Sequence, residues 1–423
     1  MATAHGSLRV VQVLLDAGAK FKGSHDKFPI GPQGLDPIRR HVHGHGVLGV
    51  ASALGHVDIM KALLAAGAEI DFSDSLHKTA LMYASEFGEL EAIRALLAAG
   101  ANINFHSVEG FANKTALQYA SVCDQIEAVD ELIAAGADPD AGAGAPGMCT
   151  PLLLTASRNL VTVVKALLRA NADIEARGPN NETPLIAACD RGKLSVAREL
   201  LAAGAEVNAR NSDNQTALMR AINYGSPLLV NELLAAGADV TVRDAFDQTV
   251  LALVISGPKT VMMEEHARAQ LVRKLVEKGA EVDYKIRNRA TVLYIACGLG
   301  LATVVAALIQ AGADVNVQCY DYYTPLILAC RKGYVSIVRQ LLAAKAEMTA
   351  MRGQAIKGAS AEGHFEVVRL LLGEGAKKAN RGLTAATVAA GSAEDAAEAL
   401  QHAMNKHNNR TVRMLQLGGA STQ

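Results

Sequence analysis

The sequence predicts an all-α solenoid, short helix pairs repeated along a chain of 423 residues. Three observations carry that expectation. A phrase that opens on Thr and carries Leu two places later recurs about every 33 residues. A second phrase, an aliphatic pair followed by Gly-Ala, recurs once per period. The apolar half of the composition is Ala, Leu and Val, with no Trp and 4% aromatics, which suits close helix stacking better than a large mixed core.

The opening phrase stands at Thr79, Thr115, Thr150, Thr183, Thr216, Thr249, Thr291 and Thr324, at intervals of 36, 35, 33, 33, 33, 42 and 33 residues. Weaker copies open at Gly46, Gln354 and Glu398. Each Thr can cap the first helix of its unit, and Pro directly after it (Pro151, Pro184, Pro325) occupies the first helical position, where its missing N–H does no harm. The Leu two places on faces the neighbouring unit. Small residues five and six places on, such as Ala84 and Ser85 or Ala329 and Cys330, let helices approach closely. A glycine nine places after Thr (Gly88, Gly192, Gly225, Gly300, Gly333) ends helix one.

Helix two follows with apolar residues at helical spacing, as in Ile93, Leu96 and Leu97 or Val338, Leu341 and Leu342. The Gly-Ala phrase ends it, at twelve junctions near residues 18, 67, 100, 136, 171, 204, 237, 279, 312, 345, 375 and 419; Asn171 and Lys345 replace the glycine in two. A short segment ending in Asp or Asn (Asn104, Asn208, Asn316) then leads into a polar turn. Two places before Thr, a position suited to positive φ holds Asn113, Asn181, Asn214 or Asp247, residues that tolerate it better than most. No such unit buries its apolar face alone; stacked neighbours bury it together.

These motifs resemble the ankyrin repeat family over nearly the whole chain. Gly55-His56 and Gly363-His364 match the family's Gly-His element as written, whereas the His that follows Leu in the family is Met82, Gln118, Ile186, Met219 or Ile327 here. The resemblance implies an ankyrin-repeat α-solenoid of about twelve helix–turn–helix repeats with short β-hairpin turns, one solenoid over residues 1–423. The first repeat, 1–19, starts inside its first helix with Gly6 at the internal glycine position, which points to a truncated gene model or a fragment of a longer protein. Insertions are expected at 20–40 (Gly/Pro-rich), at 256–266 between the two helices of one repeat, and at 377–397 before the last repeat, where an Ala-rich helix is read. In repeat proteins insertions emerge as surface loops, often on a binding face.

Composition excludes several function classes. Forty-one basic and 42 acidic residues leave a net charge of −1, without the broad basic field that nucleic-acid binding needs. Ala290–Ala313 is uncharged and long enough to span a bilayer, but Gly298 and Gly300 split it in phase with the repeat, so no membrane span is expected. Six cysteines are too few for a disulfide scaffold. Gly142-Ala-Gly144-Ala-Pro-Gly147 fits a dinucleotide pattern but lacks the preceding buried strand, and reads as a long turn. His41-Val-His43-Gly-His45 could share a zinc or nickel ion, yet has no cysteine or carboxylate at zinc-site spacing. Cys189, Cys297 and Cys330 share a repeat position with Ser85 and Ser121 and read as small packing residues. No catalytic arrangement, cofactor or metal is therefore expected.

Recognition remains. The resemblance implies that partners contact the turn tips and the exposed end of helix one. On this chain those places hold Phe87, Phe111, Arg158, Arg191, Tyr224, Phe246, Arg287, Tyr320, Tyr323, Arg331 and Lys332. Aromatics and arginines are common energetic anchors of interfaces. Tyr320, Tyr322, Tyr323, Arg331 and Lys332, with Arg287 and Arg289 of the preceding turn, form the densest group, suited to an acidic or mixed peptide. The expected function is a non-catalytic protein–protein interaction scaffold or adaptor inside the cell, in the cytoplasm or the nucleus. The alternative is the ankyrin portion of a larger enzyme, ubiquitin-ligase substrate receptor or channel; oligomeric state is left open.

Overall fold

The computed structural model describes residues 46–106, 114–142, 149–257, 263–286, 289–319, 322–378, 385–406 and 408–420. The expected first repeat, the 20–40 insertion and the His41–His45 run lie outside them, as do most of the Gly142–Gly147 loop, Phe111, Asn113, Arg287 and Tyr320. The chain divides into two compact units, one of residues 1–212 and 235–237, the other of 213–234 and 238–423.

Helix pairs follow the phrases in order. In the first unit they are α1 Val47–Ala53 with α2 Val57–Ala65, α3 Ala80–Phe87 with α4 Leu90–Ala98, and α5 Ala116–Val122 with α6 Ile126–Ala134. Then come α7 Pro151–Ala156 with α8 Val161–Arg169, and α9 Pro184–Asp190 with α10 Leu194–Ala202. In the second unit they are α11 Ala217–Tyr224 with α12 Pro227–Ala235, α13 Val250–Ser256 with α14 Glu265–Glu277, and α15 Val292–Leu299 with α16 Ala302–Gln310. The chain continues through α17 Pro325–Lys332 with α18 Val335–Ala343, α19 Ala350–Ala361 with α20 Phe365–Lys378, α21 Ala385–Ala390, and α22 Ala393–Asn405 with α23 Asn409–Leu417.

All eight threonines cap as expected. Each Thr side chain accepts the backbone N–H three places on, from Met82, Gln118, Leu153, Ile186, Met219, Ala252, Tyr294 and Ile327. The leucines two places after Thr, from Leu81 to Leu326, are at most 1% exposed. Burying one such side chain contributes about 1.5–3 kcal/mol, so this single row is a large part of the core. The small row behind it is equally dry, with Ala84, Ser85, Ala188, Cys189, Ala329 and Cys330 fully buried.

The positive-φ position two places before Thr is occupied as read at Asn181, Asn214 and Asp247. It also recurs at His77, Arg289 and Tyr322, residue types that pay a steric cost there. The turn around it is closed by a backbone bond across five residues, Gly178 N to Glu182 O (2.9 Å) and Cys319 N to Tyr323 O (2.9 Å) among others. Where strands were expected, the described residues show one isolated bridge, Arg243 to Thr249. So few bonds per turn are too short a ladder to make a strand. Consecutive turns join through Ser212 N to Asn180 O (2.9 Å) in the first unit and Ala245 N to Asp213 O (2.8 Å) in the second.

The acidic or amide residue after six of the second helices has a specific job. Its side chain accepts the backbone N–H at the equivalent loop of the next repeat: Asp71 from Asn102, Asn104 from Asp138 and Asp140 from Asp173, then Glu175 from Glu206, Asp283 from Asp314 and Asn316 from Glu347. These rungs span 31 to 34 residues and tie six repeats to the repeat that follows.

One expectation is corrected near the end of the chain. Gly375 does not end a helix; α20 runs through it to Lys378. A Cβ on Gly375 would lie 2.3 Å from Ala385 O, so the glycine serves close approach of α21. The segment read as an Ala-rich helix does hold one where it is described, α21, and that helix is packed inward. Ala386, Ala389 and Ala390 of α21 are fully buried, and Gly353 of α19 makes room for Ala390 O on the other side. Alanine's small volume is what lets this extra helix wedge into the stack.

Candidate partner-binding surface

The fixed repeat register generates two rows of side chains, one at the turn tips and one at the end of each first helix, nearly nine places after Thr. Nine large hydrophobic residues are exposed among the described residues, and six stand on these two rows: Leu76, Phe87, Tyr224, Phe246, Leu299 and Tyr322. The exceptions are Leu228, Met404 and Leu417. Apolar exposure is therefore concentrated where recognition was expected.

In the first unit the row at the end of helix one reads Phe87, Cys123, Arg158 and Arg191, all exposed. Arg158 Nη1 donates to Val122 O (3.3 Å), which draws the guanidinium back over the preceding repeat. Behind Phe87 lies a buried polar cluster. Lys78 is ion-paired to Glu86 (2.6 Å) and stacks over the rings of Tyr119 (4.3 Å) and Tyr83 (5.1 Å). Tyr83 donates its hydroxyl to Asp74 (2.7 Å), whose other oxygen accepts the N–H groups of Leu76 and Lys78. Burial, and then the Asp74 carboxylate, push the Tyr83 hydroxyl far above its ordinary pKa; Tyr119 is pushed up to about 12 by burial and Glu86. This cluster holds a turn against two helices and leaves little free polar surface.

Gln118 stands where the resemblance places His, and its side chain is fully bonded. Its amide donates to Ala141 O (2.8 Å) and Cys149 O (2.7 Å) while its oxygen accepts Thr115 N–H (2.8 Å). At the same position Met82 Sδ accepts the Thr79 N–H (3.4 Å), but Met and Ile side chains have no N–H to donate onward.

In the second unit the corresponding row is Tyr224, Gly257, Leu299 and Lys332. Tyr224, Phe246, Arg331 and Lys332 are exposed and Tyr323 half-buried. Arg331 Nη1 donates to the Tyr323 hydroxyl (3.3 Å), and its guanidinium lies 5.5 Å from the Tyr323 ring centre. Its backbone oxygen is bonded to the His364 ring (3.0 Å), and its stem packs where a Cβ on Gly358 would sit, 2.4 Å from Cγ. Of the expected group, Tyr323 and Arg331 are brought together; Tyr322, Lys332 and Arg289 are exposed, and Arg287 and Tyr320 lie outside the described residues. Leu76 and Leu299 were missed by sequence reasoning, although Leu299 shares its register position with Phe87, Tyr224 and Lys332.

Five first helices of the second unit carry no carboxylate, whereas α22 carries Glu394, Asp395 and Glu398. α11, α13, α15, α17 and α19 contain no Asp or Glu, yet carry Arg220, Arg331, Lys332, Arg352 and Lys357. Arg220 is paired with Asp213 (3.6 Å) and Lys357 with Asp395 (2.7 Å) and Glu398 (2.5 Å). The buried thiols are inert packing groups, as expected. Burial raises the Cys189 pKa to about 12 and raises those of Cys297 and Cys330 further.

Among the described residues no helix is long and apolar enough to cross a membrane, and no group of three metal-ligating side chains comes together. A family model described as ankyrin repeats, three copies, matches residues 48–143, 152–244 and 262–352. Among solved structures, the human ASB11 ankyrin repeat domain is similar at 26% identity, covering 53% of this chain and 96% of that one, with a TM-score of 0.46. No curated protein matches the chain.

Proposed function

We propose, because the chain belongs to the ankyrin repeat family, that it is a non-catalytic scaffold or adaptor that holds another protein or peptide on its turn tips and first-helix ends. Ankyrin repeats are a general protein-interaction module. The observation that carries the reading is the placement of six of the nine exposed large hydrophobics on those two rows. The residues assigned to the surface are Phe87, Arg158, Arg191, Tyr224, Phe246, Arg287, Tyr320, Tyr323, Arg331 and Lys332. Six cysteines with no disulfide among them fit a reducing compartment and support an intracellular location.

Affinity capture with the full chain, followed by mass spectrometry, identifies the partner. Tyr323→Ala/Arg331→Ala should then weaken its retention at least about tenfold, as loss of an aromatic–arginine anchor does. A partner retained unchanged both by that variant and by Phe87→Ala/Tyr224→Ala would remove the assignment.

A further inference from the structure

Five charged side chains are buried among the described residues, and four of them are answered. Lys78 meets Glu86, Lys357 meets Asp395, and Asp74 and Asp244 accept backbone N–H groups. Arg268, only 7% exposed, is not: its Nε is buried without a bond, and no carboxylate among the described residues pairs with it. A buried guanidinium without a counter-charge destabilises the fold by itself. The repeat register shows how it comes to be there. Second helices such as α4, α6 and α10 run nine residues and start just after Glu89, Gln125 and Lys193, each eleven residues before the Gly of Gly-Ala. Arg268 holds that position before Gly279, yet α14 starts at Glu265 and runs 13 residues. The expected 256–266 insertion thus runs into an added helical turn, and Arg268 stands inside it.

That turn is an unfavourable place for a cation. No side-chain bond caps α14 at Glu264, so the N–H groups of Glu265, His266 and Ala267 have no partner within the helix and mark the positive end of its dipole. Side chains in a helix lean toward its N-terminus, which carries the Arg268 guanidinium back over those N–H groups. The nearby carboxylates do not answer it. Glu264 is exposed, and Glu265 accepts both the N–H and the hydroxyl of Thr303 (2.9 Å to the hydroxyl). α13 and α16 pack against α14 and contain no charged residue. We infer that the start of α14 is an oxyanion site, in which a phosphate group bonds the Arg268 guanidinium and the N–H groups of Glu265, His266 and Ala267. One dianion answers both the buried charge and the helix end, and its oxygens match several donors at once. Exposed Glu264 and His266 flank the helix start, so it opens to solvent. The site draws on none of the residues assigned to the partner surface.

The test titrates the full chain with sodium phosphate against sodium chloride at constant ionic strength. Binding is read from the phosphorus resonance and from amide exchange in peptides covering residues 264–270. Phosphate should bind, raise the thermal midpoint by mass action and slow exchange in that segment. Arg268→Gln, neutral but still polar, should weaken binding at least about tenfold, as loss of a charge-assisted donor does. In chloride its midpoint should equal or exceed that of the unaltered chain, because an unanswered buried charge has been removed. Arg273→Gln, on the exposed side of α14, should change neither. In a second arm N-acetyl phosphoserine amide replaces inorganic phosphate. Tighter binding assigns the site to a phosphorylated side chain, and equal or weaker binding assigns it to the free ion. No binding of either probe, protection only outside residues 264–270, or equal affinity in Arg268→Gln would each overturn the site. A midpoint in chloride well below that of the unaltered chain would do so too, since the guanidinium would then already be satisfied within the protein.

Discussion

Single residues here are placed by the repeat more than by their own preferences. Lys345 stands where other repeats have glycine and holds φ at 66° with its side chain exposed. Lys345→Gly should therefore stabilise the fold by about 1 kcal/mol, read as a higher urea midpoint, because the left-handed penalty is removed. Gly333 is the reverse case, with φ at 74° and a would-be Cβ 2.6 Å from the His364 ring. Asp140 offers a test with a pH signature. Burial, with Asp173 and Asp138 nearby, raises its carboxyl pKa despite the Asp173 N–H it accepts, so its ionisation opposes folding. That penalty is complete above the folded-state value and vanishes below the unfolded-state one. Asp140→Asn keeps the acceptor oxygen, as Asn104 and Asn316 do on other rungs. It should raise the thermal midpoint at neutral pH and lose that advantage when the same melts are run in acid.

Elements separate what the sequence discloses from what it conceals. From Thr79 to Thr324 every first helix was legible, because a capping hydroxyl, a buried Leu and a small pair mark the same three positions each time. Past residue 349 the threonine is missing, and reading Gln354 and Glu398 as openings caught the register but not the longer helices α19 and α22. Gly375-Ala376 looked like a helix end because the dipeptide elsewhere is one; here the glycine's lack of a side chain is used for contact rather than for a turn. Binding rows were legible through aromatics and arginines, whereas Leu76 and Leu299 carry no chemical label that distinguishes them from core. α20 holds a sharp internal comparison. Gly373 has open space around its would-be Cβ and Gly375 has none. Gly373→Ala should stabilise by about 0.5–1 kcal/mol through helix propensity, and Gly375→Ala should destabilise by about 1–3 kcal/mol through overpacking against α21. Equal responses in chemical denaturation would contradict the wedged position of that helix.

For the molecule as a whole, stability in a repeat array accumulates from units and their nearest-neighbour interfaces. Three of the four buried thiols lie in helices and report on it at separate places, Cys189 in α9, Cys297 in α15 and Cys330 in α17. Leu326→Ala deletes a fully buried side chain beside Cys330 and should cost about 2–5 kcal/mol. Native-state labelling with a thiol reagent should then accelerate at Cys330 and Cys297 and stay slow at Cys189, as local opening requires. Uniform acceleration at all three would mean that the array opens only as one block. The side-chain rungs that link loop to loop have a consequence for how such a chain can change length. Each rung joins a residue to the equivalent loop of the next repeat, so splicing out or copying a segment cut at two matching rungs leaves the acceptor at the join facing a donor. A cut of any other length strands both. The gene can thus gain or lose whole modules without redesign, and cannot easily gain fractions of one.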